Sequence, residues 1–154
     1  MSDTYTQLYI QFVFAVKFRK AMLHVTWDER LRLYITAIVQ NNGHKMIAIN
    51  NMPDHIHIFI WLNPPQSISK IMQQLIGESS EWINREKLNE QPFRWQNGYG
   101  AFSYSRSHVS RVATYIQNQQ EYHRQKYFLD EYRLMLEKQG IDYDERNIFL
   151  EPVG

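Results

Sequence analysis

Pro53-Asp54-His55-Ile56-His57-Ile58-Phe59-Ile60-Trp61-Leu62 is the stretch on which the reading of the chain turns. Successive side chains of a strand point to opposite faces. Ile56, Ile58, Ile60 and Leu62 then form an unbroken aliphatic row, a face that must be covered by helices. His55 and His57 share the other face with Phe59 and Trp61. The preceding Asn50 to Asp54 (NNMPD) has turn chemistry, and Lys45 to Ile49 reads as the partner strand of a hairpin with a somewhat long loop.

Working outward, Trp27 to Asn42 carries Leu31, Tyr34, Ile35, Ile38 and Val39 at helical spacing, with Asn42-Gly43 as its stop. Before it lie a basic loop from Lys17 and a strand rich in aromatic and β-branched residues, Gln7 to Val16. Downstream, Pro64-Pro65 breaks the chain. Ser67 caps a helix running to about Arg85, with Ile68, Ile71, Met72, Leu75 and Ile76 on one face. Phe93 to Gly100 is irregular, and Ala101 to Ser105 reads as a short fourth strand. Ser107 caps a helix from His108 to about Tyr122, and a last helix, about Phe128 to Gln139, stops at Gly140. The order β-α-β-β-α-β predicts an α+β fold: a ferredoxin-like split βαβ antiparallel sheet with added C-terminal helices. Many functions use that architecture, so it names none.

With 154 residues and 44% hydrophobic content the chain suits a single domain over residues 1–154. It has no cysteine, which excludes disulfides, thiol catalysis and zinc ribbons. It carries no signal-peptide pattern at Met1 to Gln7 and no apolar run of membrane-spanning length, so no membrane partner is expected and the cytoplasm is the default location. Net charge is only +1. From Arg94 to Lys126, however, five basic residues (Arg94, Arg106, Arg111, Arg124, Lys126) face Glu121 alone, among Trp95, Tyr99, Phe102, Tyr104, Tyr115 and Tyr122. From Tyr127 onward seven acidic residues outnumber three basic ones. Cations for phosphates and rings for unpaired bases suit a single-strand binder. Arg106, Arg111, Arg124, Trp95 and Tyr99 are the candidate DNA contacts, the last two as stacking platforms in the irregular segment.

Imidazoles at i and i+2 can converge on one cation. Without cysteine or a third neighbouring ligand they do not make a closed structural zinc site, so a further ligand must come from elsewhere. The helix from His108 offers one. Val109, Val112, Ala113 and Ile116 form its core stripe, and Tyr115 and Gln119, at i and i+4, lie one above the other on its flank. A tyrosine hydroxyl, with an ordinary pKa near ~10, becomes a useful nucleophile where a cation neutralises charge at its target. His123, one turn beyond Gln119, is a substitute ligand or proton carrier. The plain alternative is partly exposed strand histidines, a half-buried ring and a solvated amide.

His55-Ile56-His57 matches the His-hydrophobe-His (HUH) motif, and Tyr115-Ile116-Gln117-Asn118-Gln119 matches a Tyr-Ile-x-x-Gln motif. With Trp95-Gln96-Asn97-Gly98-Tyr99-Gly100-Ala101-Phe102-Ser103, and up to the tail Tyr143-Asp144-Glu145-Arg146, the chain resembles the single-tyrosine HUH transposases of the 200/605 group of bacterial insertion sequences. The resemblance implies that His55, His57 and Gln119 bind Mg²⁺ or Mn²⁺, and that Tyr115 attacks the scissile phosphate to give a 5′-phosphotyrosine and a free 3′-hydroxyl. It also implies partners: hairpins in the single-stranded ends of a mobile element, and a second copy of the chain, in a homodimer whose active sites are shared in trans. Two other readings use the same residues differently. One is a nucleic-acid-binding module of this fold without transposition. The other is a hydrolase that uses the histidines with water and leaves Tyr115 idle.

Overall fold

The computed structural model describes residues 3–124, 126–144 and 148. Glu145 and Arg146, part of the tail motif, lie outside the described residues. Four strands, β1 (Tyr9–Ala15), β2 (Lys45–Met52), β3 (His55–Trp61) and β4 (Gly100–Tyr104), form one antiparallel sheet in the order β2-β3-β1-β4. Between them run α1 (Asp28–Asn41) and α2 (Ile68–Arg85). After β4 come α3 (Val109–Gln117), α4 (Gln119–Tyr122) and α5 (Phe128–Lys138). This is the ferredoxin-like arrangement expected from the order of elements.

The alternation along β3 sorts the molecule into layers. Ile56, Ile58, Ile60 and Leu62 pack with Phe12 and Phe14 of β1 against Leu31, Ile35, Ile38 and Val39 of α1 and Ile71, Met72 and Leu75 of α2. The Ser67 side chain caps α2 by accepting from Lys70 N at 3.1 Å. Gly43 (φ +85°) ends the turn after α1, and Gly140 (φ +67°) follows α5, both in the left-handed region that glycine enters without steric cost.

The opposite face of the sheet is also covered. Phe59 and Ala48 meet Val112 and Ile116 of α3, and Val13, Ala15 and Phe102 meet Phe128, Leu129, Tyr132 and Leu136 of α5. His55 and His57 therefore lie between the sheet and the C-terminal helices, about 1% and 0% exposed.

Three local expectations change. The hairpin loop is only Pro53-Asp54, because β2 continues through Asn50 and Asn51 to Met52, which pairs with His55. Asparagine disfavours strands, but here both side chains have tertiary partners. Asn51 Nδ2 donates to Asp28 Oδ2 (3.2 Å), and Asn50 Nδ2 to the Ile116 and Gln117 carbonyls (2.9 and 3.2 Å). Second, the single helix expected from His108 to Tyr122 is broken at Asn118 (φ −101°, ψ 25°) into α3 and α4. The carbonyls freed at that break are the ones Asn50 satisfies. Third, Ser107 does not cap α3: Arg106–His108 form a 3-10 turn, and His108, which precedes the helix, makes no side-chain cap.

Candidate metal and nucleophile site

Each histidine of β3 is oriented by a second hydrogen bond. His57 Nδ1 lies 2.9 Å from Gln11 Oε1, while Gln11 Nε2 donates to the Tyr104 hydroxyl at 3.0 Å. The glutamine thus presents its acceptor to the ring, so Nδ1 carries the proton and Nε2 a lone pair. His55 Nδ1 is 2.7 Å from Asp54 Oδ1, with the same consequence. Such outer partners fix tautomer and ring angle at metal sites. Burial pulls the Asp54 carboxyl up, but the hydrogen bond from His55, with the positive charge of Arg19, outweighs it and leaves it below its ordinary value.

Gln119, at the first position of α4, is fully buried. Its Oε1 stands 3.4 Å from His55 Nε2 and 2.9 Å from His123 Nε2. His123 Nδ1 meets the Lys126 carbonyl at 2.8 Å, so its Nε2 also presents a lone pair inward. The residue that sequence reading missed is Glu131, in α5 and about 1% exposed. Its Oε1 lies 3.1, 3.4 and 3.6 Å from the Nε2 atoms of His123, His57 and His55. Its Oε2 accepts from Gln119 Nε2 at 3.1 Å and from the Tyr115 hydroxyl. Glu131 had a visible signal: it interrupts the apolar face Phe128, Leu129, Tyr132, Leu136 with a carboxylate.

Three imidazole lone pairs, an amide oxygen and a carboxylate oxygen thus face one another, and His57 Nε2 is buried with no hydrogen bond at all. A buried lone pair that meets no donor is costly unless a cation sits against it. Ligand atoms of His55, His57, His123 and Glu131 all lie within 4.8 Å of one another. The residues fit a divalent metal. Burial pushes His57 below its ordinary pKa against the pull of Glu131. Burial, with the neighbouring His55, brings His123 to about 4. Both rings are neutral near pH 7, the form that ligates metal.

Tyr115 is half-buried, its ring edge-on to His57 at 5.8 Å and to Tyr122 at 5.1 Å. It lines an open cleft of about 290 Å³ with Gln11, Glu131, Arg111 and Lys138. Burial raises the phenols of Tyr104, Tyr122 and Tyr132, the last to about 12, so these neighbours hold their protons more firmly. Tyr115, His55, His57 and Gln119 are therefore brought together within the chain.

The candidate DNA contacts divide. Arg106, Arg111 and Arg124 are exposed, Arg124 paired with Glu121 at 3.2 Å. Trp95 is not a stacking platform. It is buried (6% exposed), wedged edge-on between Phe14 and Phe93, with Nε1 donating to Ser79 Oγ at 2.9 Å. Tyr99 is at the surface, at 36% exposure, with one edge toward Phe12.

Comparison with known proteins decides the lineage. A family model described as IS200-like transposase matches residues 4–119. The chain belongs to the IS200-like transposase family. It is similar to the ISDra2 transposase TnpA of Deinococcus radiodurans, 25% identical over 120 residues that make up 75% of this chain and 86% of that protein. Two solved structures share the fold. One, from Deinococcus radiodurans and assigned as a transposase, has a TM-score of 0.63 at 22% identity and covers 77% of this chain and 95% of its own. The other, a REP-associated tyrosine transposase bound to a REP hairpin, has a TM-score of 0.60 at 15% identity and covers 80% and 73%. His123 and Glu131 lie beyond the family-matched segment. No helix among the described residues of this transposase-family chain is long and apolar enough to cross a membrane.

Proposed function

We propose that this transposase cleaves and rejoins single-stranded DNA through Tyr115, with His55, His57 and Gln119 holding Mg²⁺ or Mn²⁺. The observation that carries the reading is the cluster of buried ligand atoms beside the Tyr115 hydroxyl, with His57 Nε2 among them left without a hydrogen-bond partner. A bound divalent cation supplies Lewis-acid polarisation of a phosphate and neutralises charge as it builds. Gln11 and Asp54 hold the two imidazoles in the ligating tautomer. Tyr115 attacks the scissile phosphorus: the phenolic O–H bond breaks, an O–P bond forms, and the P–O3′ bond breaks to release a 3′-hydroxyl. The product is a 5′-phosphotyrosine. A second 3′-hydroxyl can reverse the step, so the phosphodiester bond energy is kept and no nucleotide cofactor is needed.

Arg111 and Lys138, on the cleft beside Tyr115, supply positive charge along the path of a phosphate backbone. A relative of the same fold was solved on a REP hairpin. Hairpins in single-stranded element ends are accordingly the proposed DNA partner. One chain contains the whole set, so the active site is proposed to form in cis. A second copy is not required to complete it.

The test is cleavage of a labelled single strand from the DNA flanking the gene. Cleavage should require Mg²⁺ or Mn²⁺, be poor on the duplex, and be lost in His57→Ala while most DNA affinity remains. Undiminished cleavage in excess chelator would show that no metal takes part.

A further inference from the structure

The carboxylate of Glu131 has two differently employed oxygens. Oε1 points at the three imidazole lone pairs, and Oε2 receives the Tyr115 hydroxyl. A scissile phosphate would need the same two relations, an oxygen toward the cation and its phosphorus in front of the tyrosine. The site is also shut: His55, His57, Gln119 and Glu131 are all buried, and the Phe128 ring at the start of α5 stacks on His55 at 3.9 Å. With Glu131 in place the side chains offer a closed shell, whereas catalytic sites keep a position open for substrate. Glu131 comes from α5, beyond the segment that the family model matches.

We propose that Glu131 is a cation ligand of the DNA-free protein and the acceptor that holds Tyr115, standing where a strand's phosphate binds and leaving when it does. This rests on the metal reading above. A phosphate oxygen cannot occupy the position that Glu131 Oε1 fills, so phosphate access requires the Glu131 side chain to swing out of it. The resting protein therefore holds its metal more firmly, and single strands less firmly, than the same protein without this carboxylate.

The experiment measures Mn²⁺ binding to the full chain by calorimetry without DNA, then single-strand binding in saturating Mn²⁺. Glu131→Gln is the first variant. Its amide can accept from Tyr115 and donate to the imidazoles, so it should melt at or above the wild-type temperature while binding Mn²⁺ about 10- to 100-fold more weakly. In a Tyr115→Phe background, which prevents turnover, Glu131→Ala should bind the single strand about tenfold tighter. Unchanged Mn²⁺ affinity in Glu131→Gln, or unchanged strand affinity in Glu131→Ala, overturns the proposal. His57→Ala separates the two levels of the argument. Lost Mn²⁺ binding there, with Glu131→Gln unaffected, removes only the Glu131 assignment. Wild-type Mn²⁺ affinity in His57→Ala removes the metal site itself.

Discussion

At the residue scale the Tyr115 hydroxyl and the carboxylate that receives it are tied both to chemistry and to stability. Tyr115→Phe leaves a buried charge short of one donor, which should cost about 1–3 kcal/mol in denaturant titration as well as abolishing strand transfer. A stability loss near zero would show that the hydroxyl is not bonded to Glu131 in solution. The buried histidines set a pH dependence. In the unfolded chain each takes a proton near 6.5; folded His123 does so at about 4, and folded His57 below its ordinary value. Between these limits the unfolded state binds more protons, so acidification favours unfolding. In chelator, the unfolding free energy should fall from pH 7 to pH 5, by at most about 1.4 kcal/mol per pH unit for each histidine, and the His123 share of the fall should level off near 4. His123→Gln should flatten it. An unfolding free energy that rises as the pH falls over this range would contradict the burial of neutral imidazoles.

At the element scale the break at Asn118 places Gln119 and Tyr115 in the site, and Asn50 of β2 holds that break. Asn50→Ala removes hydrogen bonds to the Ile116 and Gln117 carbonyls and to Gln120. It should cost about 1–2 kcal/mol in stability but much more in cleavage rate, since small misplacements of reacting groups are expensive. Equal wild-type and variant rates would show that α3 and α4 are positioned by packing alone. By contrast Trp95→Ala should destabilise by about 3–5 kcal/mol, read from thermal or denaturant unfolding, because it empties a buried ring position and removes the indole donor to Ser79. These two residues also mark how far the sequence could be read. The period-2 alternation of β3 and the helical stripes of α1 and α2 are local signals, and they fixed the layers and the placing of His55 and His57. The break in the third helix, the short hairpin and the burial of Trp95 depend on partners far along the chain. Asn50 to Ile116 and Trp95 to Ser79 are pairings that no window of neighbouring residues contains. Glu131 falls between the cases. Its place on an apolar helix face was visible, but its partners were not.

At the scale of the whole molecule, the sheet buries one face under α1 and α2 and the histidine face under α3, α4 and α5, so the site is assembled where the last helices close. One chain brings Tyr115 to its own histidines. Mixing Tyr115→Phe with His57→Ala should therefore restore no cleavage, even where subunit exchange is confirmed, because no mixed pair holds a complete cis site. Rescue would mean that the tyrosine helix is exchanged between copies. The most direct test of the central claim is the covalent bond itself. The wild-type protein is incubated with a labelled single strand from the flanking DNA in Mn²⁺, and the adduct is digested and mapped by mass spectrometry. The expected product is a 5′-phosphotyrosine on Tyr115 that is absent in chelator and absent in Tyr115→Phe. An adduct on Tyr99, Tyr104 or Tyr122, or cleaved strand with no adduct at all, would contradict it.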